Sequence, residues 1–358
     1  MKLPSLPGVG KWLSTAAALL ALAACTGTRE TVLPTLLVIG SVGTSGPQLQ
    51  LAEDIYQPGA TPPRDLVPVA GSETPLLAPP VSLDVVDRNG ARSELIVLVS
   101  DADSGAAHLE FFDLTGLDPA AGQPLAPSRA PLDLASLLRA EATGGAPVCP
   151  VEVAVGGGGS VAAVLDDGSC RDGIPDIFVV DLDSREFRFA LSESTGFELL
   201  AAGIFVEQRD DTLFFAAESL NRIDVHSLSL AGDGAATLVG DAELSATGGT
   251  ANDLARQADG VGLLANESLA LVPLAGGGGG TAESVRTLDD ARMLLSDPTG
   301  TLEELVVIAA TRVAIHADAE DDDPEEFRLT ATPVDATLEP VQRFAYLLEP
   351  GGVEILDL

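Results

Sequence analysis

From about residue 36 onward, short apolar runs recur. Each is followed, across a tight polar turn, by a second apolar run that in most cases closes near an acidic residue. In order the pairs read LLVIGSVGTSGPQLQLAED, ELIVLVSDADSGAAHLEFFDL, VAAVLDDGSCRDGIPDIFVVDL, LFFAAESLNRIDVHSLSL, GLLANESLALVPL, ELVVIAATRVAIHAD and FAYLLEPGGVEILDL. Aligned on their second runs they mark Glu53, Asp113, Asp181, Ser227, Pro273, Ala317 and Asp357, at spacings of 40 to 68 residues. No helical period competes with this pattern beyond the first residues, so each pair predicts two adjacent antiparallel strands.

Runs such as ELIVLV, DIFVVDL and ELVVIAA are continuous rather than alternating, so each small sheet is apolar on both faces and needs a neighbour on each side. A ring supplies those neighbours without exposed end units. Seven units of about four strands therefore predict an all-β fold, a seven-bladed β-propeller, with six or eight blades and a two-sheet sandwich as the structural alternatives. If the paired strands are the second and third of each blade, an inner strand precedes each pair and an outer strand follows it. The chain then ends at Leu358 directly after a third strand, and the closing strand of the last blade is expected from Glu30 to Pro34. The repeated unit resembles the lactonase-like, or YVTN, family of seven-bladed propellers, with LFFAAESLNRIDVHSL and FAYLLEPGGVEILDL the nearest matches. That resemblance implies a propeller domain over residues 30–358, and it carries no catalytic or ligand residue across position by position.

The first residues read differently. Lys2 and Lys11 precede an apolar core from about Leu13 to Leu22, too short for a permanent membrane span and followed by small residues. The ending Leu22-Ala23-Ala24-Cys25 resembles the lipobox of bacterial lipoproteins. The resemblance implies a signal peptide over residues 1–24, acylation at Cys25 with chains such as palmitate, and a short tether over residues 25–29. Several acyl chains on one residue hold a protein firmly at a membrane. Thr26, rather than an aspartate, follows the cysteine, which implies the outer membrane where the cell has one.

Removal of that segment sharpens the composition. It holds both lysines and Trp12, leaving seventeen arginines against 54 acidic residues, a net charge of −37 compared with −35 for the whole chain. Such a surface repels nucleic acid and anionic headgroups, which leaves no nucleic acid among the expected partners. With Cys25 acylated, Cys149 and Cys170 are left to form a disulfide in an oxidising compartment. Cys149 lies just before a predicted inner strand, VEVAV, and Cys170 in the turn after the next strand, which puts both on one rim of the ring.

Three clusters carry candidate chemistry. Asp166, Asp167, Asp172 and Asp176 in DDGSCRDGIPDI faintly resemble the calcium loops of FG-GAP propeller repeats, and a surface turn cross-linked by Cys170 accounts for the same residues without metal. Asp318, Glu320, Asp321, Asp322, Asp323, Glu325 and Glu326 crowd one loop, as a weak cation site or a solvated, self-repelling one. The turns joining the paired strands bring Asp101, Asp103, Glu218, Asn221, Asn266, Glu267 and Glu349 to one rim, where lactonase-like enzymes hold a metal that activates water. Such residues also simply make good turns.

Other signals are negative. His226 and His316 share a register in different blades on a strand away from the channel, and with His108 they are the only histidines. The runs Gly156 to Gly159 and Gly276 to Gly280 lack the lysine and helix of a phosphate cradle. Loss of the only tryptophan argues against propellers that dock blades with repeated tryptophans or stack sugars on aromatic platforms. No catalytic residue is assigned. The expected function is a lipid-anchored, extracytoplasmic binding or scaffold module for another envelope protein. The alternatives are a lactonase-like metal-dependent hydrolase, which requires three or more polar side chains converging in the channel, and a calcium-binding adhesin.

Overall fold

The computed structural model describes residues 35–43, 45–54, 66–88, 91–118, 121–156, 158–192, 196–207, 211–219, 222–230, 236–242, 251–265, 267–274, 281–282, 284–297, 302–318, 321, 323–339, 343–350 and 352–358. In them the strands form seven separate sheets, taken up in chain order around a seven-bladed β-propeller. Blade 1 holds β1 (Thr35–Gly43), β2 (Gly46–Asp54), β3 (Leu66–Pro68) and β4 (Thr74–Pro75). Blade 2 holds β5 (Pro80–Arg88), β6 (Ala91–Asp101), β7 (Ala106–Asp113) and β8 (Leu132–Asp133). Blade 3 holds β9 (Pro150–Val155), β10 (Val161–Asp166), β11 (Asp176–Asp181) and β12 (Glu186–Ala190). Blade 4 holds β13 (Phe205–Glu207), β14 (Thr212–Ser219), β15 (Arg222–Ser229) and β16 (Ala236–Ala242). Blade 5 follows with β17 (Ala251–Gln257), β18 (Gly260–Ala265) and β19 (Ser268–Pro273). The chain then lays β20 (Thr281–Ala282) parallel to β16 on the outer edge of blade 4 before β21 (Ser284–Arg286) returns to pair with β19. Blade 6 holds β22 (Ala291–Leu295), β23 (Leu305–Ala309), β24 (Arg312–His316) and β25 (Glu325–Arg328). Blade 7 holds β26 (Asp335–Glu339), β27 (Phe344–Glu349) and β28 (Gly352–Asp357).

The seven apolar pairs are β1–β2, β6–β7, β10–β11, β14–β15, β18–β19, β23–β24 and β27–β28, in register as antiparallel neighbours. Their continuous character follows from burial on both faces: every residue of β10, β18 and β23 is buried. Six apolar clusters fill the junctions between consecutive blades from blade 1 to blade 7. Leu49 and Leu51 meet Leu95 and Val97 between blades 1 and 2, and Val306 and Ile308 meet Leu347 between blades 6 and 7. At about 1.5–3 kcal/mol for each fully buried large aliphatic or aromatic side chain, this packing is the main force holding the ring together.

Blade 7 contributes three strands among the described residues, and the expected closing segment Glu30 to Pro34 lies outside them, as do residues 1–29 with Cys25. The strand pattern did not anticipate α1 (Leu134–Glu141). Asp133 caps it by accepting from the Ser136 N–H, and Leu134, Ala135 and Leu138 bury its inner face between blades 2 and 3. Eight residues give too few turns for a helical period to stand out against the strand repeats around them.

Candidate functional site at the channel mouth

Each blade from 2 to 7 is an antiparallel meander whose first described strand lies innermost. The entry to each inner strand and the turn between the second and third strands therefore lie on the same side of the ring, here termed the hairpin face. The inner strands bring a set of carboxylates to the channel just inside that face: Asp84 on β5, Glu152 on β9, Asp253 on β17 and Asp335 on β26.

A repeated irregularity positions them. In blades 2, 3, 5 and 6 the second residue of the inner strand falls out of the ladder as a bulge: Val81, Val151, Asn252 and Arg292. Bulges of this kind re-aim the side chains beside them and increase local twist. The residue after the bulge then reaches the next blade. Ser82 Oγ accepts the Val153 N–H at 3.2 Å, Glu152 Oε2 accepts the Ile204 N–H at 3.1 Å, and Asp253 Oδ2 accepts the Leu294 N–H at 2.7 Å. Asp84, two residues further along β5, accepts the Val155 N–H at 2.6 Å through Oδ2. Asn252 adds a bond from Nδ2 to the Ala291 carbonyl. These links tie blade 2 to 3, 3 to 4 and 5 to 6 around the mouth, and each satisfies a backbone N–H or, for Asn252, a backbone carbonyl that the bulge or strand edge would otherwise leave open.

Glu152 and Asp253 come from blades on either side of blade 4 and meet over Gly203. A Cβ at Gly203 would lie 2.8 Å from Asp253 Oδ1 and 3.5 Å from Glu152 Oε2, and the residue has φ +88°, so only glycine fits this approach. The four carboxylates are partly open to the channel, yet the blades surround Glu152, Asp253 and Asp335 closely enough for burial to dominate the titration of these three. Burial pushes Glu152 up to about 8, reinforced by the charges of Asp253, Asp84 and Asp335 against the Ile204 N–H. It pushes Asp253 up to about 7 against the Leu294 and Leu254 N–H groups, and it raises Asp335. Groups that exchange protons near neutrality and repel one another attract cationic side chains or ions to the mouth.

Sequence reasoning missed these four because β17 (ANDLARQ) and the other inner strands lack a clean apolar pattern. A usable signal was present: Pro80-Val81-Ser82, Pro150-Val151-Glu152 and Pro333-Val334-Asp335 each open an inner strand with proline, valine and a polar residue. Proline suits a strand start because it has no N–H to give to the ladder.

The residues singled out from sequence lie elsewhere, on the same face except for those of the acidic loop, which joins the third and fourth strands of blade 6 on the opposite side. Cys149 and Cys170 are joined in a disulfide with Cα atoms 5.6 Å apart, between the start of β9 and the turn after β10. In that turn the buried Asp166 accepts from the Gly168 N–H at 2.7 Å and lies 3.7 Å from Arg171, and burial raises its pKa. Asp167 accepts from Ser169, Asp172 from Ile174, and Asp176 from Ile177 and Ser192, so the four carboxylates each bind local backbone. On the turns, Asp101 accepts from Asp103 and Ser104, Glu267 pairs with Arg286 at 3.0 Å, and Glu349 accepts from Thr330 and Ala331. Glu218 is exposed at the end of β14, and Asn221 and Asn266 lie outside the described residues. In the acidic loop, Asp321 accepts from Ala317 and Asp323, and Glu326 pairs with Arg312. Among the described residues no three His, Cys, Asp or Glu side chains come close enough together to hold a metal ion. The histidines sit away from the channel: His226 packs between Phe197 and Phe215, and His316 is held by Thr287 and the Asp321 carbonyl.

No protein-family model matches the sequence, and no characterised protein matches it either. Solved structures match the fold. A chain of the hydrazine synthase of Kuenenia stuttgartiensis aligns at 13% identity with a TM-score of 0.54, over 93% of this chain and 99% of that one. A chain in the crystal structure of the mitotic checkpoint complex aligns at 9% identity with a TM-score of 0.52, over 90% of this chain and 87% of that one.

Proposed function

We propose that the chain is a lipid-anchored module outside the cytoplasm that binds another protein of the cell envelope. The observation that carries this reading is the use made of the channel-mouth side chains. Ser82, Asp84, Glu152 and Asp253 accept backbone N–H groups of neighbouring blades, so they hold a fixed face in shape. A rigid ring with loops on its rims suits partner recognition, and a propeller-like chain within the mitotic checkpoint complex is in keeping with that use. The sequence Leu22-Ala23-Ala24-Cys25 supports the anchor, and the Cys149–Cys170 disulfide supports an oxidising compartment. The test is cross-linking and recovery of the full chain from membranes in mild detergent, alongside Cys25→Ser. The expected result is a stoichiometric membrane protein with the wild type and release of Cys25→Ser from the membrane. Recovery of the wild type alone, or Cys25→Ser remaining membrane-bound, overturns the reading.

One observation favours the hydrolase alternative: Glu152 and Asp253, at about 8 and about 7, both lie against Gly203 and can take up or release a proton near neutral pH. Turnover of simple lactones with added divalent metal, abolished by Glu152→Gln, would establish it in place of the binding role.

A further inference from the structure

Exposed apolar side chains are unevenly distributed on this ring. Eight large ones stand out among the described residues, and two of them, Val67 on β3 and Leu238 on β16, lie on outer strands. The other six, Val42, Leu77, Val81, Val151, Ile174 and Val334, all lie on the hairpin face. Val42 ends β1 at the turn into β2, and Leu77 lies in the connection that enters β5. Val81 and Val151 are the bulged residues of β5 and β9, Ile174 is in the disulfide-bearing turn, and Val334 immediately precedes β26. They belong to blades 7, 1, 2 and 3, which are consecutive around the ring. Val81, Val151 and Val334 repeat the same Pro-Val-polar start, with exposures of 43%, 38% and 63%, each beside a polar group of the mouth. A protein that leaves valines open at equivalent positions in three blades has an apolar surface that needs a cover.

The surroundings specify the cover. Asp84, Glu152 and Asp335 lie just inside the mouth, and Asp101, Asp103 and Asp172 lie on the adjoining turns. Two arginines of this sector are turned onto the ring itself: Arg139 donates to the Gly105 carbonyl, and Arg171 lies against Asp166 and the Phe178 ring. This sector of the face is therefore apolar at its raised points and acidic between them, and burial holds the protons of Glu152 and Asp335 to a higher pH than usual, a cost that a cationic side chain of a partner would offset. Building on the protein-binding reading above, we infer that the mouth of blades 7, 1, 2 and 3 docks a basic, apolar protein segment. Its aliphatic side chains lie on Val81, Val151, Ile174 and Val334, and its lysine or arginine side chains reach the carboxylates of the mouth. Apolar contact supplies the affinity and the charge pattern supplies the choice of partner.

The test uses the full chain in detergent and three labelled peptides of equal length, built from Leu and Lys, from Ser and Lys, and from Leu and Glu, with binding followed by anisotropy. Val81→Ser with Val151→Ser removes two of the exposed valines of the mouth without touching the core, and Val67→Ser with Leu238→Ser is the control on the outer strands. The Leu/Lys peptide is expected to bind, the other two at least tenfold more weakly. The mouth variant should lose tenfold or more in affinity and the control variant should lose none. Equal binding of the three peptides, no loss in the mouth variant, or an equal loss in the control overturns the inference. So does binding to anionic phospholipid vesicles that the mouth variant abolishes, which would assign the face to the membrane. If the mouth variant still recovers the membrane partner of the wild type, the binding role stands and this docking face falls. If the wild type recovers no partner, the binding role itself fails.

Discussion

The two sides of the channel mouth use one backbone device for two purposes. In blades 2 and 3 the bulged residue is a valine, Val81 or Val151, left open to solvent. In blades 5 and 6 it is Asn252, which donates to the Ala291 carbonyl, or the exposed Arg292. The residue after the bulge carries the link between blades in blades 2, 3 and 5, through Ser82, Glu152 and Asp253. The bulge is therefore architectural, and the side chain placed on it is free to vary with the surface each sector presents. Stability and surface chemistry are divided between adjacent residues.

The sharpest way to break this comparison is Asp253→Ala. It leaves the Leu294 and Leu254 N–H groups without their side-chain acceptor and is expected to cost about 3–4 kcal/mol in denaturant unfolding. A loss no greater than that of Ser82→Ala would show that the carboxylate links do not differ from the hydroxyl link.

Glu152 gives a pH-dependent test of intermediate size. Its folded-state pKa is raised from 4.5 to about 8, so its contribution to stability is complete below 4.5 and is lost as the pH rises through about 8. Allowing for channel water, the wild type should lose about 2 kcal/mol on this account between acid and alkaline conditions. Glu152→Gln, whose carbonyl can still accept from Ile204, should flatten that slope in unfolding curves taken across the range. An unchanged slope would remove Glu152 as its source.

The smallest effect is expected from Ser82→Ala, which deprives only the Val153 N–H of its acceptor and should cost about 1 kcal/mol. Calorimetric melting that finds a larger loss there than at Asp253 reverses the order of the two sides.

The paired strands were legible in the sequence because burial on both faces makes β6, β10 and β23 continuous apolar runs, and continuity needs no register to be seen. The turns between them were legible for the same reason, since polar residues interrupt those runs. The channel carboxylates were not. β9 reads PVEVAV with a bulge at Val151, which shifts the alternation by one residue, and β17 reads ANDLARQ with a bulge at Asn252 and no alternation of apolar and polar positions. Position on an inner strand is a property of the ring, and nothing local in Asp253 distinguishes it from Asp259 in the turn that follows. Gly203 shows the same limit: its requirement comes from two carboxylates in the flanking blades, 51 and 50 positions away along the chain.

β20 joins the edge of blade 4 although its chain neighbours, β19 and β21, belong to blade 5. This dovetail closes part of an open sheet margin that would otherwise be available to another strand. It also means that peeling blade 5 from the ring must first tear a segment off blade 4, so the two should exchange their amide protons as one cooperative unit.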